Sequence, residues 1–246
     1  MYLHGRNVLR EILDLNSKKL KIKRILFTNQ QNVSKELEEL KLRCLKRGYK
    51  VDEAPPEKLY NLCREKKHQG VVVDLKEFPY TDFEDIIELS RNESVFPLVL
   101  LDTVQDPHNL GAIIRSAVAA GMRGIIITEK SSAKVTSAVV KVSTGLAFRI
   151  PISIVTNMAR TVEILQEEGF WVYAASMEGE PYFSIEFPEK AAIILGNEGE
   201  GVRKLVKEKA DYIISIPMEK EVDSLNVSAS AAILFFELRR QLSGGE

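Results

Sequence analysis

The chain is poor in the residues that metal and redox chemistry use. It has two cysteines, Cys44 and Cys63, three histidines, His4, His68 and His108, and one tryptophan in 246 residues. Neither set has metal-ligand spacing, so no metal is expected, and the histidines are read as hydrogen-bonding or loop residues. Two isolated thiols suit a reducing cytoplasm. No apolar run is long enough to span a bilayer, and the opening MYLHGRNVLREI lacks the apolar core of a signal peptide. A membrane partner is therefore not expected, and the protein is read as cytoplasmic. No G-x-G-x-x-G follows the first strand of either part, which excludes the dinucleotide-binding fingerprint, and no G-x-x-x-x-G-K-[ST] marks a P-loop. Internal repeats and low-complexity tracts are also missing.

What is present is a core-forming composition, 45% hydrophobic and 28% charged, enough for one large or two small domains. The net charge of −1 hides an asymmetry: residues 1–79 hold 18 Lys and Arg against 11 Asp and Glu, while residues 80–246 hold 16 against 24. A basic front and an acidic back concentrate polyanion contact in the front, unless the basic residues are only a solvated face.

The front reads as an α/β unit. Val8, Leu9, Ile12 and Leu13 have helical spacing; KIKRILFT from Lys21 is a strand; Leu37, Leu40, Leu42 and Leu45 lie in a charged helix ending near Gly48. Tyr49–Glu53 is a short strand, Pro55 or Pro56 opens a helix through Leu62, and Val71–Leu75 is a strand. The predicted boundaries are a front domain at 1–76, a linker and connecting helix at 77–94, and a second domain at 95–246. In the second domain, strands at Pro97–Leu101, Gly124–Thr128, Trp171–Ala175, Ala191–Leu195 and Tyr212–Ile216 alternate with helices. These cover Leu110–Ala120, Val135–Val142, Met158–Glu167, Val202–Lys209 and Val227–Arg240. Val/Ile-rich strands alternating with helices predict a parallel sheet covered on both faces.

Three strand ends carry unusual residues. The first runs from Asp102 to Asn109, with Gly111, Arg115 and Ala119 following on one helical face. Asn109 is either a helix cap or a site residue. Arg115, set among Ala112, Ile113, Ile114, Ala117 and Val118, is expected to need a partner, because a lone buried charge is costly; a structural ion pair is one alternative. The second is AAIILGNEGEGV, where Gly196, Gly199 and Gly201 permit close backbone approach to a ligand; otherwise it is a plain turn with Glu198 complementing a helix dipole. The third places Ser224, Asn226 and Ser228 ahead of an almost wholly apolar helix, as caps or as site residues. In open α/β sheets ligands lie beyond the carboxyl ends of strands, where all three fall.

These stretches, NLGAIIRSA from Asn109, LGNEGEG from Leu195, and Ile216-Pro-Met with SLNVS from Ser224, resemble the SpoU (TrmH-like) family of SPOUT methyltransferases over residues 95–240. The front part, with His4-Gly5 and His68-Gln69-Gly70, is similar to the ribosomal-protein-like RNA-binding domain of RlmB-type enzymes, which methylate a guanosine 2′-hydroxyl in 23S rRNA. The resemblance implies a deep trefoil knot in the C-terminal domain and S-adenosyl-L-methionine held by Leu195, Gly196, Ile216, Leu225 and Asn226. It further implies no metal, an RNA substrate, rRNA first, and a homodimer formed through the C-terminal domain.

The resemblance also implies a catalytic set of Asn109, Arg115, Glu198, Ser224 and Asn226. Family proposals make the arginine the base. A guanidinium is effectively always protonated, so Arg115 is instead expected to grip a phosphate and stabilise a developing alkoxide, the proton going to phosphate, water or Glu198. Asn109 and Ser224 would orient Arg115 and the ribose, and Asn226 would shape the cofactor pocket. The alternatives are methylation of tRNA or another rRNA nucleotide, and a non-catalytic RNA-binding ribosome-assembly protein.

Overall fold

The structure is a computed structural model that describes residues 1–15, 20–31 and 33–243. In chain order the elements are β1 (Tyr2–His4), α1 (Arg6–Asp14), β2 (Ile22–Thr28), α2 (Lys35–Lys46), β3 (Val51–Ala54), α3 (Pro56–Cys63) and β4 (Val71–Leu75). There follow α4 (Phe83–Arg91), β5 (Leu98–Leu101), α5 (Pro107–Ala120), β6 (Gly124–Thr128), α6 (Ser137–Val142), β7 (Ile152–Val155), α7 (Met158–Glu167) and β8 (Trp171–Pro181). The last are β9 (Ala191–Leu195), α8 (Lys204–Lys209), β10 (Tyr212–Ser215) and α9 (Val227–Leu242). Packing divides the chain into two compact units, Met1–Pro79 with Val135–Arg149, and Tyr80–Lys134 with Ile150–Glu246.

The first unit is built on a four-stranded sheet in the order β1-β4-β2-β3. β2 and β3 are parallel, whereas β4 runs antiparallel to both β1 and β2. Helix α2 starts where Ser34 Oγ accepts the amide of Leu37, and it buries Leu37, Leu40 and Cys44. Leu42 and Leu45 point outward at 57% and 50% exposure, so Cys44 completes the inward stripe. Pro56 sits at the first helical position of α3, where its missing N–H costs nothing. The later segment Val135–Arg149 is held here by charge and by close packing: Arg149 forks onto Glu11, and Lys141 pairs with Glu65. Gly145, at φ +91°, is so near α1 that a Cβ would stand 3.1 Å from the Val8 Cα.

The second unit is a six-stranded sheet in the order β10-β8-β9-β5-β6-β7, with every pair parallel. This is the covered α/β sheet that the alternation of strands and helices predicts. β5, β6 and β9 are buried throughout, and their apolar runs suit strands covered on both faces. The chain leaves β5 toward β6 and β7, then crosses to β8 and returns through β9. Its order therefore reverses between β5 and β9, and the crevice beyond their carboxyl ends is where an α/β sheet takes a ligand. β1 and β7 have no counterpart in the sequence reading; three and four residues leave too little periodicity to see.

Candidate active site

At the end of β5, Asp102 has no exposed surface. Its carboxylate accepts the backbone N–H of Arg203 at 3.0 Å and the guanidinium at 2.5 to 3.0 Å. Those bonds raise the Arg203 guanidinium above its ordinary range. They also tie the loop after β9 to the end of β5. Within that loop Asn197 and Gly201 exchange backbone hydrogen bonds at 3.1 and 2.8 Å. Gly196 passes so close that a Cβ would lie 2.0 Å from the Gly201 carbonyl carbon, and Gly201 itself has φ +70°. These two glycines are required by the turn, whereas Gly199 is not sterically confined.

The loop presents Glu198 to two asparagines. Asn109 Nδ2 donates to Glu198 Oε1 at 2.6 Å and Asn226 Nδ2 donates to the same oxygen at 2.7 Å. Asn226 Nδ2 also lies 3.0 Å from Asn109 Oδ1. Three strand ends thus meet in one hydrogen-bonded knot of side chains. Asn226 caps α9 as well, its Oδ1 accepting the Ser228 amide at 2.9 Å and the Ser228 hydroxyl at 2.6 Å, so one side chain serves both the cap and this network. Asn109 is not the cap of α5: that is Asp106, which accepts the His108 amide at 2.8 Å and is followed by Pro107. Asn109, one turn further on, is free to turn inward and is 8% exposed. Helices α5 and α9 run alongside each other in the same sense. Asn226 meets Asn109 at one end, and Arg239 donates to the Ala119 carbonyl at the other.

Beside this network lies a cavity of about 570 Å³, lined by Leu195, Gly196, Glu198, Ile216, Ser224 and Leu225 among others. Its size falls in the ordinary range for small-molecule sites, roughly 300–1,000 Å³. Ile214, Met218 and Val227 add apolar surface. One further wall escapes sequence reading. β8 continues six residues beyond its expected end at Ala175. Its pairing with β10 jumps from Ala174↔Ile213 to Glu180↔Ile214, so residues 175–179 swing out and put Ala175, Ser176, Met177 and Glu178 on the cavity. Gly179 makes this possible, for a Cβ there would lie 2.5 Å from the Ile213 and Ile214 backbone. A glycine inside a strand pattern is the signal that marks such a bulge.

Arg115 corrects an expectation. It is exposed on α5, and among the described residues it forms no ion pair or hydrogen bond. Leu110, Ile113, Ile114 and Ala117 turn inward and Arg115 turns out, so the helix satisfies the charge with solvent rather than with a partner. It does not line the cavity.

Two family models match this chain. The SpoU rRNA methylase family matches residues 97–236, and an RNA 2′-O ribose methyltransferase substrate-binding domain matches residues 2–81. The chain belongs to the SpoU rRNA methylase family. It is 35% identical over 243 residues to the putative TrmH family tRNA/rRNA methyltransferase YacO of Bacillus subtilis, covering 98% of this chain and 95% of the relative. It is 38% identical over 218 residues to the 23S rRNA (guanosine-2′-O-)-methyltransferase RlmB of Coxiella burnetii, covering 88% and 87%. The AdoMet-bound rRNA methyltransferase of Sinorhizobium meliloti superposes with a TM-score of 0.82 at 27% identity, over 98% of this chain and 87% of that one.

This SpoU chain is therefore an S-adenosylmethionine-dependent RNA methyltransferase. Its own residues fit that donor. Gly196 and Gly201 let the backbone turn that forms one wall close on itself, and Leu195, Ile214, Ile216 and Leu225 offer an apolar bed.

Proposed function

We propose that this SpoU chain methylates a ribose 2′-hydroxyl in RNA, and that its target is a guanosine of 23S rRNA. The observation that carries the reading is the meeting of Asn109, Glu198 and Asn226 beside a cavity walled by the glycine turn after β9. The substrate rests on the relative from Coxiella burnetii, which is named for methylation of a 23S rRNA guanosine. It also rests on the basic front of this chain.

When bound, S-adenosylmethionine supplies an electrophilic methyl group. The chain has to align a ribose oxygen with it, exclude water, and help a weakly acidic hydroxyl give up its proton. Alignment alone can contribute roughly 7–11 kcal/mol. We assign the cavity residues Leu195, Gly196, Ile216 and Leu225, together with Asn226 in the network beside them, to donor binding, and Ser224, which also lines the cavity, to orienting the ribose. Glu198 holds Asn109 and Asn226 in one orientation through Oε1. Its Oε2 accepts no bond among the described residues, which leaves an oxygen available for the 2′-proton. Arg115, exposed and unpaired, is suited to the phosphate next to the target ribose and to stabilising charge that develops on the ribose oxygen.

We further assign a trefoil knot to the C-terminal part of the chain, a homodimeric state formed through the second unit, and a cytoplasmic setting. The outer face of α9 supports the pairing, since Phe236 stands there 48% exposed. The described residues include no helix long and apolar enough to cross a membrane.

The test is methyl transfer from radiolabelled S-adenosylmethionine to total RNA, followed by mapping of 2′-O-methyl marks with and without the gene. A new mark on a 23S guanosine is expected; a mark confined to tRNA would replace the substrate, and no transfer would end the reading. Arg115→Lys separates its two roles. If its pH–rate profile gains one lower pKa that belongs to the lysine, Arg115 is the base after all.

A further inference from the structure

The positive charge of the front unit is not evenly available. Along α1 and α2 four cations are spent on neighbours, while Lys35 and Lys46 stand singly at the two ends of α2: Arg6 and Arg10 both reach Glu36, Arg43 reaches Asp14 at 2.6 Å, and Lys41 reaches Glu53. On β2, Arg24 lies 3.5 Å from Asp52 and 3.7 Å from Asp74. The stretch Arg64–Lys67 differs in density, with three cations in four residues. Arg64, Lys66 and Lys67 are exposed, and among the described residues none has an ion-pair partner. The acid in their midst is already engaged. One Glu65 oxygen accepts the Lys67 backbone N–H at 3.1 Å and the other accepts Lys141 Nζ. Those two bonds, the Lys141 bond first, hold its carboxyl down at about 2. Lys141 thus removes the local counter-charge and leaves three cations uncompensated.

The topology places this stretch among other chain ends. β4 is antiparallel to β1 and β2, so the loop that leads into β4 lies where β1 and β2 finish. Thr28 donates its amide to the Gly70 carbonyl at 2.8 Å, Asn29 to the Ala54 carbonyl at 3.0 Å, and Arg6 to Gln69 Oε1 at 2.8 Å. The exposed amides of Asn29, Gln30 and Gln31 therefore share one sheet edge with the three free cations. Lys23, Lys46 and Lys50 stand at the opposite end, where β2 and β3 begin.

We propose that this edge is where the front unit grips RNA, with Arg64, Lys66 and Lys67 on successive phosphates of an unpaired strand and the Asn29–Gln31 amides on its base edges. Cations set against phosphates release bound counterions, which supplies affinity without reading sequence. Carboxamides present a donor and an acceptor together, the pattern that base edges match. Unpaired bases expose those edges, whereas the deep major groove of an RNA duplex hides them. The inference rests on the RNA methyltransferase reading and adds where the substrate is held.

The experiment uses the full chain with a fluorescent single-stranded RNA oligonucleotide and a duplex of equal length, titrated across a salt series. The triple variant Arg64→Ala, Lys66→Ala, Lys67→Ala should flatten the slope of log affinity against log salt by about 2. That corresponds to roughly a 100-fold loss near 0.1 M salt, three single-strand phosphate contacts having been removed. The control triple Lys23→Ala, Lys46→Ala, Lys50→Ala should change the slope by much less. An unchanged slope in the first triple, an equal loss in the control, or tighter binding of the duplex overturns the proposal. Displacement of the oligonucleotide by an acidic polypeptide at equal charge concentration would reassign the edge to a protein partner. Methyl transfer to RNA by the unaltered chain is measured alongside. Transfer with an unchanged slope removes this surface alone, and a protein that neither binds nor methylates RNA removes the functional reading with it.

Discussion

Asp102 and Arg203 stand 101 residues apart, yet the buried carboxylate of one takes up both the backbone and the side chain of the other. The pair is lopsided: Asp102 has no exposed surface, whereas the Arg203 side chain is 49% exposed. Removing Arg203 strands a charge without solvent. Removing Asp102 leaves an arginine that water can solvate. Arg203→Ala should therefore destabilise by about 3 kcal/mol or more, the cost typical of an orphaned buried charge. Asp102→Asn, which keeps an acceptor for the Arg203 amide, should cost about 1–2 kcal/mol. Midpoints of urea unfolding check the order, and equal losses would mean that Asp102 reaches solvent once its partner is gone.

The glycines of the turn after β9 should separate cleanly. A methyl group at Gly196 would sit 2.0 Å from the Gly201 carbonyl carbon, while one at Gly199 meets only the Asn197 Oδ1 at 3.5 Å. Gly196→Ala should cost roughly 1–3 kcal/mol of stability and abolish measurable donor binding, because the backbone itself has to move. Gly199→Ala should bind S-adenosylmethionine within a factor of about 3 of the unaltered chain, as a substitution without a steric conflict changes energies by only tenths of a kcal/mol. Isothermal calorimetry with S-adenosylmethionine reads both.

Asn109→Asp tests the shared oxygen. Asn109 Nδ2 now donates to Glu198 Oε1 at 2.6 Å. A carboxylate in its place would face another carboxylate at that distance, and one of the two would hold its proton well above the usual range. Methyl transfer at pH 8 should fall by about 100-fold, the scale of losing one positioned polar group, and recover partly as the pH drops toward 6. Asn109→Ala should lose activity without that recovery. A flat pH profile for Asn109→Asp would separate Glu198 from Asn109 in solution.

The front unit should lose stability in mild acid. Burial lowers the pKa of His4 below 6.5, Lys141 and His68 lower it further, and Glu65 offsets part of this. Burial also lowers His68, again partly offset by Glu65. A base whose folded pKa is depressed binds fewer protons folded than unfolded, so stability rises with pH across the gap. The contribution is complete above about 6.5 and is lost as the pH falls through the lower folded value. The melting temperature should drop between pH 7.5 and 5.5, and His4→Asn should flatten that drop. An unaltered pH slope in the variant would put the sensitivity elsewhere.

Much of this architecture is legible in the amino-acid order because the strands of the second sheet are continuous Val/Ile/Leu runs. Gly124–Thr128 and Ala191–Leu195 need no partner to be recognised. Residues 176–181, SMEGEP, carry no such run. Their strand character comes from β10, which pairs with Glu180 and Pro181 after the bulge, and that is tertiary information. The sequence neighbours of Arg115 are apolar and suggest burial, whereas its exposure is set by helical phase. The convergence of Asn109, Glu198 and Asn226 follows from three strand ends with polar residues. The Asp102–Arg203 clamp does not, because neither residue has a local signal that names the other.

The loan of Val135–Arg149 to the first unit bears on how such a protein can be rebuilt or inherited. The chain crosses between units after Pro79, after Lys134 and again after Arg149, so a single protease nick near Tyr80 leaves two covalent tethers intact. A chimaera that takes only its first 79 residues from a relative would set foreign side chains against Lys141, Gly145 and Arg149. The transplantable block is discontinuous, and specificity grafts made at one junction should misfold where grafts that carry both pieces succeed.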